Sequence, residues 1–327
     1  MVEVYLGVDV GSVSTNLVLI DKNNEVLAYV YRRTQGQPIL AVKKGLQELQ
    51  KDLPPNLEVK GVGTTGSARY LSGVIVGADI VKNEITAHAV AASTVVPEVK
   101  TVLEIGGQDS KIILLRNGVV VDFAMNTVCA AGTGSFLDHQ AARLGIPIED
   151  FGVHALKAES GVQIAGRCTV FAESDMIHKQ QMGYRIEEII YGLCESLVRN
   201  YLNNVGKGKE ILTPIVFQGG VAANAGIKKA FEEALETPVN VPGHHSIMGA
   251  IGGAILARER VANGGESKFK GFSTADINYE TSSFFCGSCA NNCEIVKIQV
   301  EGKTLACWGG RCGKWEIDQV ERPLASV

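Results

Sequence analysis

The sequence predicts an α/β protein made of two related halves, followed by a small cysteine-rich module. The first observation behind this prediction is a strand–turn–strand unit near the N-terminus that recurs farther along the chain. The second is that 37 of the 327 residues are glycine, against 9 prolines, and that the glycines fall in short clusters typical of phosphate-binding turns. The third is the crowding of cysteines after residue 285, in a chain that contains 8 in total.

Composition and charge exclude several classes of function. The chain has 31 Lys and Arg against 35 Asp and Glu, and this net charge of −4 argues against a protein that binds nucleic-acid phosphates. With 6% aromatic residues, stacking surfaces for single strands are not expected either. The first residues lack a secretory signal, and no apolar run approaches the ~18 residues of a membrane helix. We therefore expect a cytoplasmic protein with no membrane partner, in which grouped cysteines bind metal rather than form disulfides.

Two predicted β-hairpins, at 4–20 and 102–115, carry the same residue types at the same spacing. An acidic residue, Asp9 or Glu104, precedes a turn of small residues in each hairpin. Bare turns let backbone N–H groups approach phosphate oxygens, and a carboxylate beside them can hold Mg²⁺ or orient an attacking water. The constant offset between the hairpins implies two related halves that bind one triphosphate.

A glycine pair follows a third predicted strand, at 214–217. Gly219 and Gly220 lead through Asn224 into a predicted helix. Backbone without side chains can pack against a flat purine, so we interpret this turn as an adenosine site. An ordinary strand-to-helix turn is the alternative interpretation.

The three motifs, in this order, resemble those of the superfamily of actin, sugar kinases and chaperone ATPases, over residues 1 to about 258. The resemblance implies duplicated, ribonuclease-H-like subdomains that close over ATP or ADP with Mg²⁺. The expected boundaries are an actin-like ATPase domain at 1–260, with subdomains of about 1–85 plus 245–260 and about 86–244, a linker at 261–275, and a cysteine-rich metal-binding tail at 276–327.

Cys129 and Cys168 each precede a predicted helix. A helix N-terminus favours the thiolate, which is the form that ligates iron–sulfur clusters. The alternative is that each is a small buried residue, as we expect for Cys194 within its amphipathic helix. A [4Fe–4S] cluster usually takes four thiolates. Two per chain would suffice if a two-fold dimer placed one cluster on its axis.

The residues around these cysteines resemble the activases of 2-hydroxyacyl-CoA dehydratases and the related ATPase subunits of benzoyl-CoA reductase. The similar blocks are 8–12, 104–109, 129–134 and 167–174. The resemblance implies a homodimer that binds one [4Fe–4S] cluster through Cys129 and Cys168 of each copy. It also implies that ATP drives a low-potential electron, received from ferredoxin or flavodoxin, into a partner iron–sulfur enzyme. That partner would be a 2-hydroxyacyl-CoA dehydratase or a reductase with a double-cubane cluster.

Specific residues follow from the motifs and the resemblance. We assign Mg²⁺ binding and water placement to three carboxylates, and orientation of the attacking water to one amide: Asp9, Glu104 and Asp109, and Gln108. The predicted nucleotide-binding residues are Gly11, Ser12, Val13, Ser14, Thr15, Gly106, Gly107, Gly132, Gly134, Gly219, Gly220 and Asn224.

The tail carries five further candidate metal ligands: Cys286, Cys289, Cys293, Cys307 and Cys312. A structural zinc site and a second [4Fe–4S] cluster both suit this spacing. Five thiols for four positions leave the ligand set open.

Two other functions compete with the activase. A small-molecule kinase acting on a sugar or carboxylate would explain the hairpins and the tail, but not the pair Cys129 and Cys168. A regulatory or filament-forming ATPase would act through a partner contact rather than through a reaction.

Overall fold

The structure, a computed structural model, describes residues 2–51, 53–54, 57–126, 128–262, 265–312 and 314–315. The predicted linker and tail are thus described only in part, because residues 263–264, 313 and 316–327 lie outside these ranges. The chain divides into two compact units, one of residues 1–87 with 249–327 and the other of residues 88–248.

The main sheet of the first unit has the strand order β3-β2-β1-β4-β5. Its strands are β1 Val2–Val10, β2 Ser14–Ile20, β3 Val26–Arg33, β4 Leu57–Thr65 and β5 Ile80–Val81. β1 pairs antiparallel with β2 and parallel with β4. β1 and β2 are buried over most of their length, which explains their nearly continuous apolar sequences, whereas the edge strand β3 exposes alternate residues.

The sheet of the second unit repeats this arrangement with the order β8-β7-β6-β9. Its strands are β6 Thr101–Ile105, β7 Ser110–Arg116, β8 Val119–Asn126 and β9 Ile215–Gln218. β6 pairs antiparallel with β7 and parallel with β9, as β1 pairs with β2 and β4. The predicted duplicated α/β fold is therefore confirmed.

Helices cover the sheets. They are α1 Pro38–Lys51, α2 Arg69–Val76, α3 Glu84–Val95, α4 Gly134–Leu144, α5 Ile148–Ala155, α6 Thr169–Gln181, α7 Ile186–Asn204, α8 Ala225–Leu235 and α9 Met248–Ala262. α7 supplies much of the core of the second unit, and burial of Cys194 on it raises the pKa of that thiol far above its usual range. Among the described residues, no helix combines the length and apolar character needed to cross a membrane.

Glycines let α9 lie directly on the backbone of the first sheet. A Cβ at Gly7 of β1 would come within 1.8 Å of the carbonyl oxygen of Ala250, and one at Gly63 of β4 within 2.0 Å of that of Gly253. Such close approach requires glycine on the strands, which explains the glycines inside two buried strands.

The cysteine-rich tail forms a three-stranded antiparallel sheet in the order β10-β11-β12. Its strands are β10 Glu280–Phe285, β11 Glu294–Val300 and β12 Lys303–Trp308. Ile298 and Ala306 are buried in the same apolar core as β1 and β2. The preceding segment is also tied to the first unit, because Lys43 Nζ donates to the carbonyl oxygen of Ile277 at 2.6 Å.

Candidate functional site

The first predicted phosphate turn connects β1 to β2. It is closed by a hydrogen bond from the N–H of Gly11 to the carbonyl oxygen of Ser14 at 2.9 Å. The hydroxyl of Thr15 is buried and lies 2.9 Å from that of Thr34, which in turn donates to the carbonyl oxygen of Gly11. Thr15 therefore braces the turn from inside, whereas four residues are at least partly exposed: Gly11, Ser12, Val13 and Ser14.

Asp9 lies at the carboxyl end of β1, opposite Asn16 on β2 and Thr65 on β4. The loop after β4 comes close to its carboxylate. Gly66 has a φ of +89°, and a Cβ there would lie 2.6 Å from Asp9 Oδ1. A glycine is needed at this position both for its conformation and for the space that the carboxylate occupies. The loop after β4 thus belongs to the same edge of the sheet as the first turn.

The second turn contains a buried ion-pair network. Lys111 on β7 is almost fully buried, and its Nζ lies 3.0 Å from Glu104 Oε2 and 2.9 Å from Asp109 Oδ2. The pairing of β6 with β7 sets Glu104 directly opposite Lys111. Gln108 is exposed at the tip of the turn. One cation therefore holds two of the three predicted carboxylates.

The N-terminus of α4 docks on the second turn. The N–H groups of Gly134 and Ser135 donate to the carbonyl oxygens of Gly106 and Gly107, each at 2.9 Å. The Ser135 hydroxyl also donates to Gly107 at 2.6 Å. A Cβ at Gly134 would lie 3.0 Å from the carbonyl oxygen of Gly106, so glycine permits this contact. The turn and the helix start therefore form one hydrogen-bonded structure.

The glycine pair after β9 lies against the same strand end as Glu104. Gly219 has a φ of +93°, and a Cβ there would lie 2.3 Å from the carbonyl oxygen of Ile105 and 2.8 Å from Glu104 Oε1. Gly220 is exposed. The side chain of Asn224 accepts hydrogen bonds from two backbone N–H groups and caps α8. The second unit thus brings together the second turn, the start of α4 and the glycine pair.

We expect Gly219→Ala to lower the stability of the protein and Gly243→Ala to leave it nearly unchanged. The added methyl group at Gly219 is strained by the positive φ and meets two oxygens, a combination that costs about 1–3 kcal/mol or more. Nothing lies within 4 Å of a Cβ at Gly243. Thermal unfolding of both variants checks this, and equal melting temperatures would contradict the tight packing of Gly219.

The two cysteines of the ATPase domain are neighbours in the second unit. The Sγ of Cys129 lies 3.7 Å from the carbonyl oxygen of Arg167, the residue before Cys168. Asn200 on α7 joins the two segments, because its Nδ2 lies 3.6 Å from Cys129 Sγ and 2.5 Å from the carbonyl oxygen of Gly166. Both cysteines are partly exposed at helix starts, Cys129 before a 3₁₀ turn and Cys168 before α6.

Gly132 lies in that 3₁₀ turn, at Ala130–Gly132, and is also a packing position. A Cβ there would lie 2.7 Å from Asn200 Oδ1. Asn126 supports the same turn, since its side chain accepts from the N–H of Cys129 and donates to its carbonyl oxygen, both at 2.9 Å.

The five tail cysteines lie around one end of the sheet of β10, β11 and β12. They differ in exposure: Cys286 and Cys307 are buried, Cys293 is half-buried, and Cys289 and Cys312 are exposed. Hydrogen bonds from Ser288 and Trp315 hold the pKa of the Cys286 thiol below its usual value, whereas burial raises that of Cys307. Throughout the described part of the chain, no three His, Cys, Asp or Glu side chains are arranged to hold a metal ion.

Several residues that shape these loops were not predicted from the sequence. They are Thr34, Gly66, Lys111, Asn126, Ser135 and Asn200. Of these residues, only Lys111 could have been recognised from the sequence, because it is a charged residue that follows the second turn on a mostly apolar strand.

Comparisons with known proteins give a consistent result. Residues 6–257 match the model of the BadF/BadG/BcrA/BcrD ATPase family. The (R)-2-hydroxyglutaryl-CoA dehydratase activating ATPase of Acidaminococcus fermentans is 34% identical over 267 residues, which cover 79% of this chain and 98% of the relative. The 2-hydroxyisocaproyl-CoA dehydratase activator of Clostridioides difficile is 32% identical, over 77% of this chain and 94% of the relative.

A solved structure shares the fold. It is that of the activator of the 2-hydroxyisocaproyl-CoA dehydratase from Clostridium difficile with bound ADPNP, and its TM-score is 0.71 at 30% identity. The likeness covers 80% of this chain and 96% of that one. These findings confirm the resemblance that the sequence motifs indicated. The family match ends before the cysteine-rich tail.

Proposed function

Because the chain belongs to the BadF/BadG/BcrA/BcrD ATPase family, we propose that it is an ATP-driven activase that passes low-potential electrons to a partner iron–sulfur enzyme. The partner is a 2-hydroxyacyl-CoA dehydratase or a double-cubane-cluster reductase, and the electron donor is ferredoxin or flavodoxin. Two relatives of this chain are named as activators of such dehydratases, which supports this choice of partner.

The observation that carries the proposal is the proximity of Cys129 and Cys168. Two partly exposed thiols, each before a helical turn, fit the donor set of a [4Fe–4S] cluster completed by the same pair from a second copy. When bound, the cluster would supply a one-electron carrier. Asn200 fixes the separation of the two thiol-bearing segments, because its amide bonds to both.

Apolar side chains beside the two thiols support a protein partner at this surface. Val128 precedes Cys129 and is 94% exposed, while Val170 and Phe171 follow Cys168 and are each 65% exposed. Exposed apolar groups around a functional site are typical of surfaces that another protein covers. In this proposal, the homodimer covers the part around the cluster and the partner enzyme docks beside it.

Backbone contacts connect the second turn, where phosphate would bind, to the segment that carries Cys129. The carbonyl oxygens of Gly106 and Gly107 hold the start of α4, and the 3₁₀ turn after Cys129 immediately precedes that helix. A shift of the second turn when phosphate binds would therefore move α4 and the segment that carries Cys129. ATP acts here as a ligand that favours one of two arrangements, and hydrolysis gives the cycle its direction.

Within the nucleotide site of this proposal, each residue keeps the role that the sequence motifs assign to it. The turns of the two hairpins bind the phosphates, and the exposed backbone at Gly220 borders the adenosine. Asp9, Glu104 and Asp109 set the position of Mg²⁺ and of the attacking water, and Gln108 orients that water. Lys111 keeps two of these carboxylates in place.

The test is the iron content of anaerobically purified protein after cluster reconstitution. We expect about two irons and two acid-labile sulfides per protomer, as one [4Fe–4S] cluster per dimer requires. Cys129→Ser and Cys168→Ser should each lose the iron and the stimulation of the partner enzyme, while ATP hydrolysis remains. Cys194→Ser is the matched control, because that thiol is buried within α7 and should not affect iron content.

Two outcomes would contradict the proposal. Wild-type protein that takes up no iron would exclude electron transfer and favour the small-molecule kinase. ATP consumption stimulated by a sugar or a carboxylic acid would favour the kinase directly.

A further inference from the structure

We propose that the tail binds one zinc ion through the thiolates of Cys286, Cys289, Cys293 and Cys312, and that Cys307 takes no part. This site lies after residue 257, outside the region that matches the ATPase family. It does not depend on the proposed electron transfer.

The pairing of β10 with β11 places two of the thiols together. Phe285 pairs with Glu294, and the next hydrogen bond runs from the N–H of Cys286 to the carbonyl oxygen of Cys293 at 2.8 Å. Directly opposite residues on antiparallel strands share a face, with Cβ atoms about 4.5–5.5 Å apart. Tetrahedral zinc with Zn–S bonds of about 2.3 Å needs sulfur atoms about 3.8 Å apart. Cys286 and Cys293 therefore suit a single metal ion, whereas in a [4Fe–4S] cluster each thiolate binds a different iron.

The loop between these strands contributes the third thiol. Cys289 stands three residues after Cys286, the spacing of a metal knuckle. The N–H of Asn292 donates to the carbonyl oxygen of Cys289 at 3.1 Å, so the loop turns back on itself before Cys293. Cys289 thus lies on a short, exposed loop whose two ends carry the first pair.

The chain after β12 returns to this loop and brings the fourth thiol. Lys314 Nζ donates to Ser288 Oγ at 2.6 Å, and the indole Nε1 of Trp315 donates to Cys286 Sγ at 3.0 Å. Cys312 is two residues before Lys314, so its Cα lies within about 7 Å of that of Lys314. An N–H donor to a ligating sulfur is also the kind of outer contact that orients metal ligands.

Strand register sets the backbone of Cys307 apart from the Cys286–Cys293 pair. Cys307 pairs with Lys297, and Cys293 stands four residues before Lys297 on β11, about 13 Å along the strand. Its side chain is buried with Ile295 and Cys286 in the small apolar cluster of the module, against which Cys293 also packs. Packing therefore accounts for Cys307 without a metal.

The thiols surround one end of the sheet, but among the described residues no three of them are close enough together to hold one metal ion. Cys289 and Cys312 are the exposed pair, so binding requires these two side chains to turn inward. Since both stand outside the strands, that movement leaves the sheet intact.

The first experiment needs no substitution. The full-length protein is purified anaerobically, and its cysteines are alkylated before and after treatment with a zinc chelator. Cys289 and Cys312 are exposed, so without metal they react at once. We expect them to be protected in the purified protein and to react at least ten-fold faster after chelation, with Cys307 unchanged. Prompt alkylation of both in freshly purified, zinc-supplied protein would overturn the proposal.

Zinc content of variants then tests the ligand set. We expect about one zinc per protomer in the wild type and in Cys307→Ala, and close to none in Cys289→Ala or Cys312→Ala. Substitution with Co²⁺ should give the spectrum of a tetrahedral thiolate site in the first two proteins only. Zinc lost in Cys307→Ala and kept in Cys312→Ala would overturn this assignment. Iron with acid-labile sulfide that persists in a Cys129→Ser/Cys168→Ser variant lacking zinc would show a second cluster instead.

Discussion

The Lys111→Met variant is expected to be less stable than the wild type by about 3–5 kcal/mol, the usual effect of removing one partner of a buried ion pair. Lys111 is 2% exposed, and its ammonium group contacts the buried carboxylate of Glu104 and the partly exposed carboxylate of Asp109. Methionine fills similar space but provides no cation. The carboxylate of Glu104 then loses that cation in a place that water does not reach. A loss of 1 kcal/mol lowers the melting temperature of a unit of this size by about 2–4 °C, so the melting temperature should fall by roughly 10 °C.

Two comparisons test this explanation. Lys60→Met removes a surface cation that lies 2.8 Å from Glu58, and should leave the melting temperature nearly unchanged, because solvent screens this pair. The double variant Glu104→Gln/Lys111→Met removes both charges of the buried pair and should be more stable than Lys111→Met alone. If the double variant were the less stable of the two, the buried charge would not be the cause.

The Asp9→Asn variant is expected to hydrolyse ATP at least about 100-fold more slowly, with little change in stability. Asp9 stands where β1 meets the first turn, a predicted phosphate site, and Gly66 makes room for its carboxylate. Asparagine keeps the shape of the side chain but removes the negative charge that positions Mg²⁺ and water in the proposed mechanism. Phosphate release at saturating ATP and Mg²⁺ measures the effect.

Asp21→Asn is the matched control for this variant. Asp21 follows β2 at the opposite end of the same hairpin, where its carboxylate accepts backbone hydrogen bonds from Asn23 and Glu25. Asparagine retains an oxygen acceptor there, so we expect the rate of hydrolysis to stay within about two-fold of the wild type. If Asp9→Asn hydrolysed ATP at the wild-type rate, Asp9 would have no role in hydrolysis.

The hairpins were predictable because their information is local. Small residues, a preceding carboxylate and flanking apolar strands lie within one short segment, and turn chemistry depends on such segments. Asp9 and Glu104 accordingly occupy equivalent positions, each one residue before the last pair of its hairpin. For Asn224 the structure adds a role that the sequence did not predict, because its side chain caps α8.

The sequence by itself determined the duplicated α/β fold, the two strand–turn–strand hairpins and the family, because each rests on neighbouring residues whose conformational preferences act over a few positions. Only the tertiary structure decided which distant groups meet. Asn200 brings the segment of Cys129 to that of Cys168, Lys111 joins two carboxylates, and strand register places Cys307 opposite Lys297, four residues along the chain from Cys293. These contacts join residues far apart in the chain, and they form because packing and strand pairing align whole elements at once.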